Sequence, residues 1–368
     1  MKISVMTGRY ALSGVPLAQM RFSRALASQG HEVDFLIGMV NPGSTTPAPH
    51  NVRINVLAKA RVSSMLVPLI RYFKRHKPDA VFSAGDHLNA IVLLAAIIAG
   101  SKAKISCSSR VTPFDTYSSV PLSRGWLLKW VMRMVSWRAD ALTCVSKDMI
   151  VQYKQVFRNA PHRCIYNIVD DEQSRLRMME SVDDPWLLED RGTILVAAGS
   201  LEPWKGFGDL IRAMSLVPAS IGARLFVLGD GSLRGELQGL IDQLGLQGRV
   251  KLAGYVENPL KYFRNADVFV LSSHVEGLPN VLVEAMMCGC TPVATDCPTG
   301  PREVLQDGRF GYLVPVGDEA AMADAIVKAI ENPISADELQ EAVRPFSENN
   351  VLMQHFAMLG IPGKSEWK

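Results

Sequence analysis

From residue 266 to 289 the chain reads ADVFVLSSHVEGLPNVLVEAMMCG, and this order constrains the fold more than any other stretch. The run ADVFVLSS reads as a strand buried within a parallel sheet, Gly277 and Pro279 punctuate a turn, and NVLVEAMMCG leaves that turn as a helix. The same succession of strand, glycine turn and helix recurs along the chain. MKISVMTG, HEVDFLIG, AVFSA, AKISCSS and ALTCVS read as strands in the first half; TILVAAGS, ARLFVLGDG, RVKLAGY and TPVATD join ADVFVLSS in the second. Alternation of this kind implies an α/β fold of doubly wound, Rossmann-like parallel sheets. With 368 residues, 48% of them hydrophobic, the chain can fill two cores. The expected division is a first domain over 1–168, a polar interdomain linker over 169–192, a second domain over 193–342, and a segment 343–368 packing back on the first. Ligands of such sheets lie beyond the carboxyl ends of the strands.

Composition narrows the remaining classes. LNAIVLLAAIIAG is about 13 residues, short of the roughly 20 that span a bilayer, and reads as a buried helix. The N-terminus enters a strand without a signal-peptide layout, which argues for a cytoplasmic protein. The six cysteines have no C-x-x-C spacing, and small buried thiols in a reducing compartment account for Cys288 and Cys290 better than a metal does. Charge is divided unequally. Residues 1–168 hold 22 Lys and Arg against 7 Asp and Glu, a net +15, whereas the rest holds 17 against 29, a net −12. Much of the positive charge lies in RYFKRHK (71–77) and in RGWLLKWVMRMVSWRAD (124–140). There Trp126, Trp130 and Trp137 recur at helical spacing among Arg124, Lys129, Arg133 and Arg138. Two readings stand: a half-buried helix with snorkelling basic residues, or a surface that rests on anionic lipid at the inner face of the plasma membrane. Nucleic acid is excluded as a partner because no nucleic-acid module accompanies the basic patch.

The chemistry concentrates in residues 272–300. Glu276 and Glu284 stand eight positions apart at the entrance of the helix, whose first amides attract anions. A second strand-to-helix junction, TDCPTGPREVL, places Pro301 after Gly300 at a first helical position, so the two junctions suggest a paired cradle for a phosphorylated ligand. Any reaction in which such a phosphate departs must stabilise the charge developing on it. Lys205 and the amides around Gly277, Leu278, Pro279 and Asn280 and around Thr299 to Arg302 could supply this.

These residues carry a family resemblance. The 272–300 stretch resembles the E-x7-E signature of retaining GT-B glycosyltransferases of family four. The likeness continues through GSLEPWKGF (199–207), LFVLGDGSLRGEL (225–237), GYVENPLKYFRNADVFVLSS (254–273) and DGRFGYLVPVGD (307–318). Residues 1–190 match in outline, through CVSKDM and IYNIVD. The resemblance implies a GT-B fold, two Rossmann-like domains facing a central cleft. It places Glu276 against the donor sugar, Glu284 on the ribose hydroxyls, Lys205 on the diphosphate, and the base near Tyr255 and Val256. Paired acceptor oxygens suit vicinal hydroxyls, which agrees with both glutamate roles.

Two positions depart from the family. Ser200 stands where an arginine usually follows the glycine of the diphosphate strand, with Arg302 as the obvious substitute. Arg110 stands where a histidine often follows the middle strand of the first domain. Asp86 and His87 are alternative polar groups on that acceptor side, or no more than a turn, and the N-terminal glycine turn survives only as Ser13-Gly14. No D-x-D triplet occurs, which implies a metal-independent enzyme with no cofactor beyond its nucleotide-sugar co-substrate. Retention with internal return is the family's implication, since only Glu276 would lie near the sugar. The expected activity is transfer of a hexose or N-acetylhexosamine, from UDP or the competing GDP, to a lipid-linked or surface glycan of lipopolysaccharide, capsule or exopolysaccharide type. The rivals are a phosphorylase or nucleotide-sugar epimerase of the same fold, and a non-catalytic scaffold subunit.

Overall fold

The computed structural model describes residues 1–11, 14–41, 49, 51–157, 161–182, 184–188 and 192–362. The chain forms two compact units, one of Met1–Ile168 with Ser347–Lys368 and one of Val169–Phe346. Each is built on a parallel sheet. The first sheet contains β1 (Lys2–Tyr10), β2 (Glu32–Val40), β3 (Val52–Val56), β4 (Ala80–Ala84), β5 (Lys104–Ser109), β6 (Ala141–Cys144) and β7 (Arg163–Cys164), in the order β3-β2-β1-β4-β5-β6-β7. The second contains β8 (Ile194–Ala198), β9 (Arg224–Leu228), β10 (Val250–Gly254), β11 (Val268–Leu271), β12 (Thr291–Thr295) and β13 (Tyr312–Val314), in the order β10-β9-β8-β11-β12-β13. Both are doubly wound and Rossmann-like, with the strand order reversing at β1/β4 and at β8/β11.

Central strands are buried along their whole length, as β4 and β12 show, because helices cover both faces of a parallel sheet. That is why they read as unbroken apolar runs. The sequence reading missed β3, β7 and β13, all edge strands of two to five residues with partly exposed side chains. The apolar segment 88–100 is a buried helix, Asp86–Ala99, closed by Gly100 in the left-handed region. No described helix is long and apolar enough to cross a membrane.

Each unit has its own core. In the second, β8 to β11 pack with the helices Phe207–Leu216 and Glu319–Glu331. In the first, Val351, Leu352, Phe356 and Leu359 of the helix Glu348–Leu359 join Phe22, Phe35 and Phe82. The last helix is therefore part of the first unit's interior. Within 169–192 the chain forms the helices Glu172–Arg177 and Pro185–Leu188, and this segment belongs to the second unit.

Candidate active site

The second sheet reverses its strand order between β8 and β11, so the loops leaving these neighbours diverge and open a crevice at their carboxyl ends. After β8 the chain makes a single 3₁₀ turn, Pro203–Lys205, and Gly206 at φ +63° starts the helix Phe207–Leu216. A Cβ at Gly206 would collide with the Ser272 carbonyl oxygen, so glycine is required both for the backbone angle and for the approach. Two hydrogen bonds fasten this turn to the end of β11. Ser272 Oγ donates to the Lys205 carbonyl at 2.8 Å, and the His274 amide donates to the Trp204 carbonyl at 2.8 Å. His274 Nε2 also lies 2.6 Å from Asp209 Oδ2.

This anchoring brings together two residues 71 positions apart. Lys205 Nζ donates to Glu276 Oε1 at 2.6 Å, its stem 3.6 Å from where a Gly199 Cβ would stand. The lysine side chain is 19% exposed and the glutamate 11%. Ser273 Oγ donates to the same Oε1 at 2.7 Å, and no hydrogen bond among the described residues reaches Oε2. The carboxylate is thus held from one side by an ammonium and a hydroxyl, with its other oxygen open. Its charge, after burial, helps push the Cys297 thiol up to about 11. The other cysteines are free thiols, and burial raises Cys107 and Cys288 to about 12.

The two junctions expected to form a cradle touch directly. Thr299 Oγ1 donates to the Glu276 carbonyl oxygen. Gly300, at φ +92°, lies so close to the other loop that a Cβ there would stand 2.5 Å from Pro279 Cδ and 2.7 Å from the Gly277 oxygen. Behind Gly277, Leu278 and Pro279 the helix Asn280–Cys288 begins without a side-chain cap, its first amide donating to the Leu278 carbonyl at 2.9 Å, and the positive end of its dipole favours an anion there. Glu284 is half-buried one turn into that helix. The second helix, Pro301–Val304, is only a single turn. Arg302 does not turn toward the cradle: its guanidinium holds Asp296 through Nε at 3.0 Å and through Nη2, and reaches Asp307 at 3.3 Å. Ser200 is exposed at the end of β8. Tyr255 is exposed, and beside it Val256 lines a surface cavity of about 650 Å³ with Asn258, Lys261, Tyr262, Gln173 and Arg177.

In the first unit, Gly14 opens the helix Gly14–Ser28, and Ser13 lies outside the described residues. Asp86 is consumed internally. Ser109 Oγ and the Tyr153 hydroxyl donate to its two oxygens at 2.8 and 2.7 Å, and burial raises its pKa against the pull of these donors. It anchors the start of the helix Asp86–Ala99, the turn role that was the alternative reading, while His87 faces solvent. Arg110 donates Nη1 to Asn167, but its Nε is buried without a partner, and desolvation lowers its pKa to about 10. It lines a cavity of about 20 Å³ with His355, whose Nδ1 is also buried unpartnered. Among the described residues no group of three His, Cys, Asp or Glu side chains could hold a metal ion.

Sequence reasoning named Thr299 only for its backbone, and missed the Ser273 and Thr299 hydroxyls that hold Glu276 and its backbone as well as the His274–Asp209 contact. Ser273 stands three residues before Glu276, a spacing at which a hydroxyl can meet a carboxylate. The Thr299 contact depends on a crossing of loops that no local pattern records.

Paired Rossmann-like parallel sheets, with a lysine and a glutamate meeting at a switch point, match the GT-B class of glycosyltransferases. The chain belongs to the glycosyltransferase family described as glycosyl transferases group 1, whose model matches residues 179–346, with glycosyltransferase family 4 matching residues 13–173. It is 30% identical over 268 residues to the N-acetylgalactosamine-N,N'-diacetylbacillosaminyl-diphospho-undecaprenol 4-alpha-N-acetylgalactosaminyltransferase of Campylobacter jejuni, covering 72% of this chain and 70% of that one. It is 26% identical over 332 residues to the N-acetyl-alpha-D-glucosaminyl L-malate synthase of Bacillus anthracis, covering 88% and 86%. Among solved structures, HepE of Anabaena in complex with UDP superimposes with a TM-score of 0.77 at 19% identity, over 98% of this chain and 100% of that one. The chain is an enzyme of sugar transfer.

Proposed function

We propose that the protein is a retaining, metal-independent transferase that moves a hexose or N-acetylhexosamine from a UDP-sugar to a hydroxyl of a lipid-linked glycan at the cytoplasmic face of the membrane. The observation that carries this reading is the Lys205–Glu276 pair at the β8/β11 switch point, beside an uncapped helix N-terminus. Lys205 supplies a positive charge for the diphosphate, and the Gly277 and Leu278 amides, with the dipole of the helix that starts at Asn280, supply oriented partial charges; both gain strength as charge develops on the leaving phosphate. With Arg302 held by Asp296 and no arginine at Ser200, the lysine and the backbone carry most of that load. Glu276 accepts sugar hydroxyls through its open Oε2, Glu284 accepts those of the ribose, and the base lies toward Tyr255 and Val256. On the retaining route the departing phosphate oxygen takes the acceptor's proton on the face from which it left.

UDP is preferred because a solved structure of this fold holds UDP, and the lipid-linked acceptor because the Campylobacter relative's name includes a diphospho-undecaprenol. Thermal melts with UDP, GDP, ADP and TDP test the donor, since a ligand that binds only the folded state raises the midpoint. The expected result is a rise with UDP that Lys205→Ala diminishes. A rise confined to GDP would overturn the nucleotide assignment, and no response to any of the four would overturn the site.

A further inference from the structure

Nine of the large hydrophobic side chains that face solvent in the described residues lie within residues 111–137. They form one face. In the helix Arg124–Val135, Met132 and Val135 are buried on the side that packs on the helix Asp86–Ala99. Leu127, Trp130, Val131 and Met134 fall within about 100° of arc, centred about 120° around the helix from Met132 and Val135, at 3.6 residues per turn. A surface helix normally shows solvent its charges there; this one shows apolar groups, with Met134 at 73% and Trp130 at 45% exposure. Immediately before the helix, Leu122 is 80% exposed and holds φ at +63°. A non-glycine residue pays conformational strain for that angle, so the fold holds a leucine in water by an unfavourable backbone. Arg124 and Arg133 flank the apolar row, and the Arg133 guanidinium lies 5.3 Å from the Trp130 ring centroid.

We propose that this face rests on an anionic bilayer, with Leu122, Leu127, Trp130 and Met134 entering the boundary between headgroups and acyl chains and Arg124 and Arg133 among the headgroups. The charge of the first 168 residues selects this occupant. At +15 it attracts an anionic surface over the whole unit, whereas the same face of a second copy would present the same +15 and be repelled. A tryptophan beside an arginine, each with an apolar body and a polar tip, suits an interface better than a dry protein contact. The proposal does not rest on the roles assigned to Lys205 and Glu276, since the face would serve any membrane-bound acceptor.

The test is co-sedimentation of the full chain with vesicles of equal parts phosphatidylglycerol and phosphatidylcholine, and with phosphatidylcholine alone. Binding to the mixed vesicles should exceed that to the neutral ones by about fivefold per basic side chain engaged, and should fall as salt is raised. Tryptophan emission should shift to the blue. The triple variant Leu122→Ser, Leu127→Ser, Met134→Ser should lose at least about tenfold in binding, with an unchanged melting midpoint and an unchanged response to UDP. Should the triple variant fail to fold, Leu122→Ser alone, at a side chain that touches little, carries the test. Equal binding to both vesicles, or undiminished binding of the variants, would overturn the proposal. So would a concentration-dependent dimer that the triple variant abolishes, since the face would then join two copies.

Discussion

Replacing Lys205 by alanine removes the ammonium that lies 2.6 Å from Glu276 Oε1, and two consequences of very different size follow. The first is on stability. Breaking a fully buried pair costs about 3–5 kcal/mol and an exposed one under about 1 kcal/mol. With side chains 19% and 11% exposed and Ser273 still donating to the carboxylate, this pair falls between, at about 2 kcal/mol. In a protein of this length such a loss lowers the melting midpoint by only a few degrees. The second is on turnover, where losing one donor to developing charge costs about 10²–10³ in kcat. The two are separable by measuring UDP-sugar turnover at 25 °C beside the melting midpoint. We expect at least a hundredfold loss of kcat in a folded protein. Glu276→Gln should couple to it, the double variant losing less than the product of the single losses. A kcat within tenfold of wild type, or strictly multiplicative losses, would refute the view that lysine and glutamate work as one unit.

Glu276→Ala should depress kcat far more than it weakens UDP binding, and Glu284→Ala should do the reverse; kinetics with calorimetric titration of UDP checks both, and wild-type behaviour in the two variants would remove the site. Activity should survive excess EDTA, and rescue by magnesium or manganese of an EDTA-silenced enzyme would contradict the metal-independent reading. Acid should destabilise the first unit through His355 and His162, whose pKa values burial depresses from 6.5 to about 3 and about 4. Between those values and 6.5 the unfolded chain binds more protons, so stability present above pH 6.5 is lost as pH falls. His355 alone should contribute about 2 kcal/mol between pH 7.5 and pH 5. His355→Leu should flatten the dependence of the melting midpoint on pH, and an unchanged slope would show that His355 is protonated without penalty.

How legible each part was in the sequence follows from what local pattern can encode. Strands such as β8, β9 and β11 are buried on both faces, and that burial is itself the apolar run a reader sees. The edge strands β3, β7 and β13 are partly exposed, so their composition carries little signal. The helix at Asn280 was readable because Pro279 and Gly289 mark its two ends, the latter as a left-handed cap at φ +99°. In the site, residue types were visible and pairings were not. That Arg302 would spend its guanidinium on Asp296, or that Ser272 would clasp the Lys205 carbonyl across 67 residues, depends on loop conformations set by tertiary contact. The helix at 124–135 offered a spacing of tryptophans, but only burial tells which of its faces is the outer one.

The helix Glu348–Leu359 has a consequence for the order in which the protein is made. The second unit closes on residues 169–346, all synthesised in one continuous stretch, whereas the first needs Val351, Leu352, Phe356 and Leu359 in the same cluster as Phe22 and Phe82. At roughly 5–20 residues per second, the ribosome takes about 10–40 s to pass from residue 168 to residue 359. For that interval the β1–β7 sheet lacks the helix that covers part of it, and its apolar face is open to the nascent chain and to chaperones. The unit begun first is completed last.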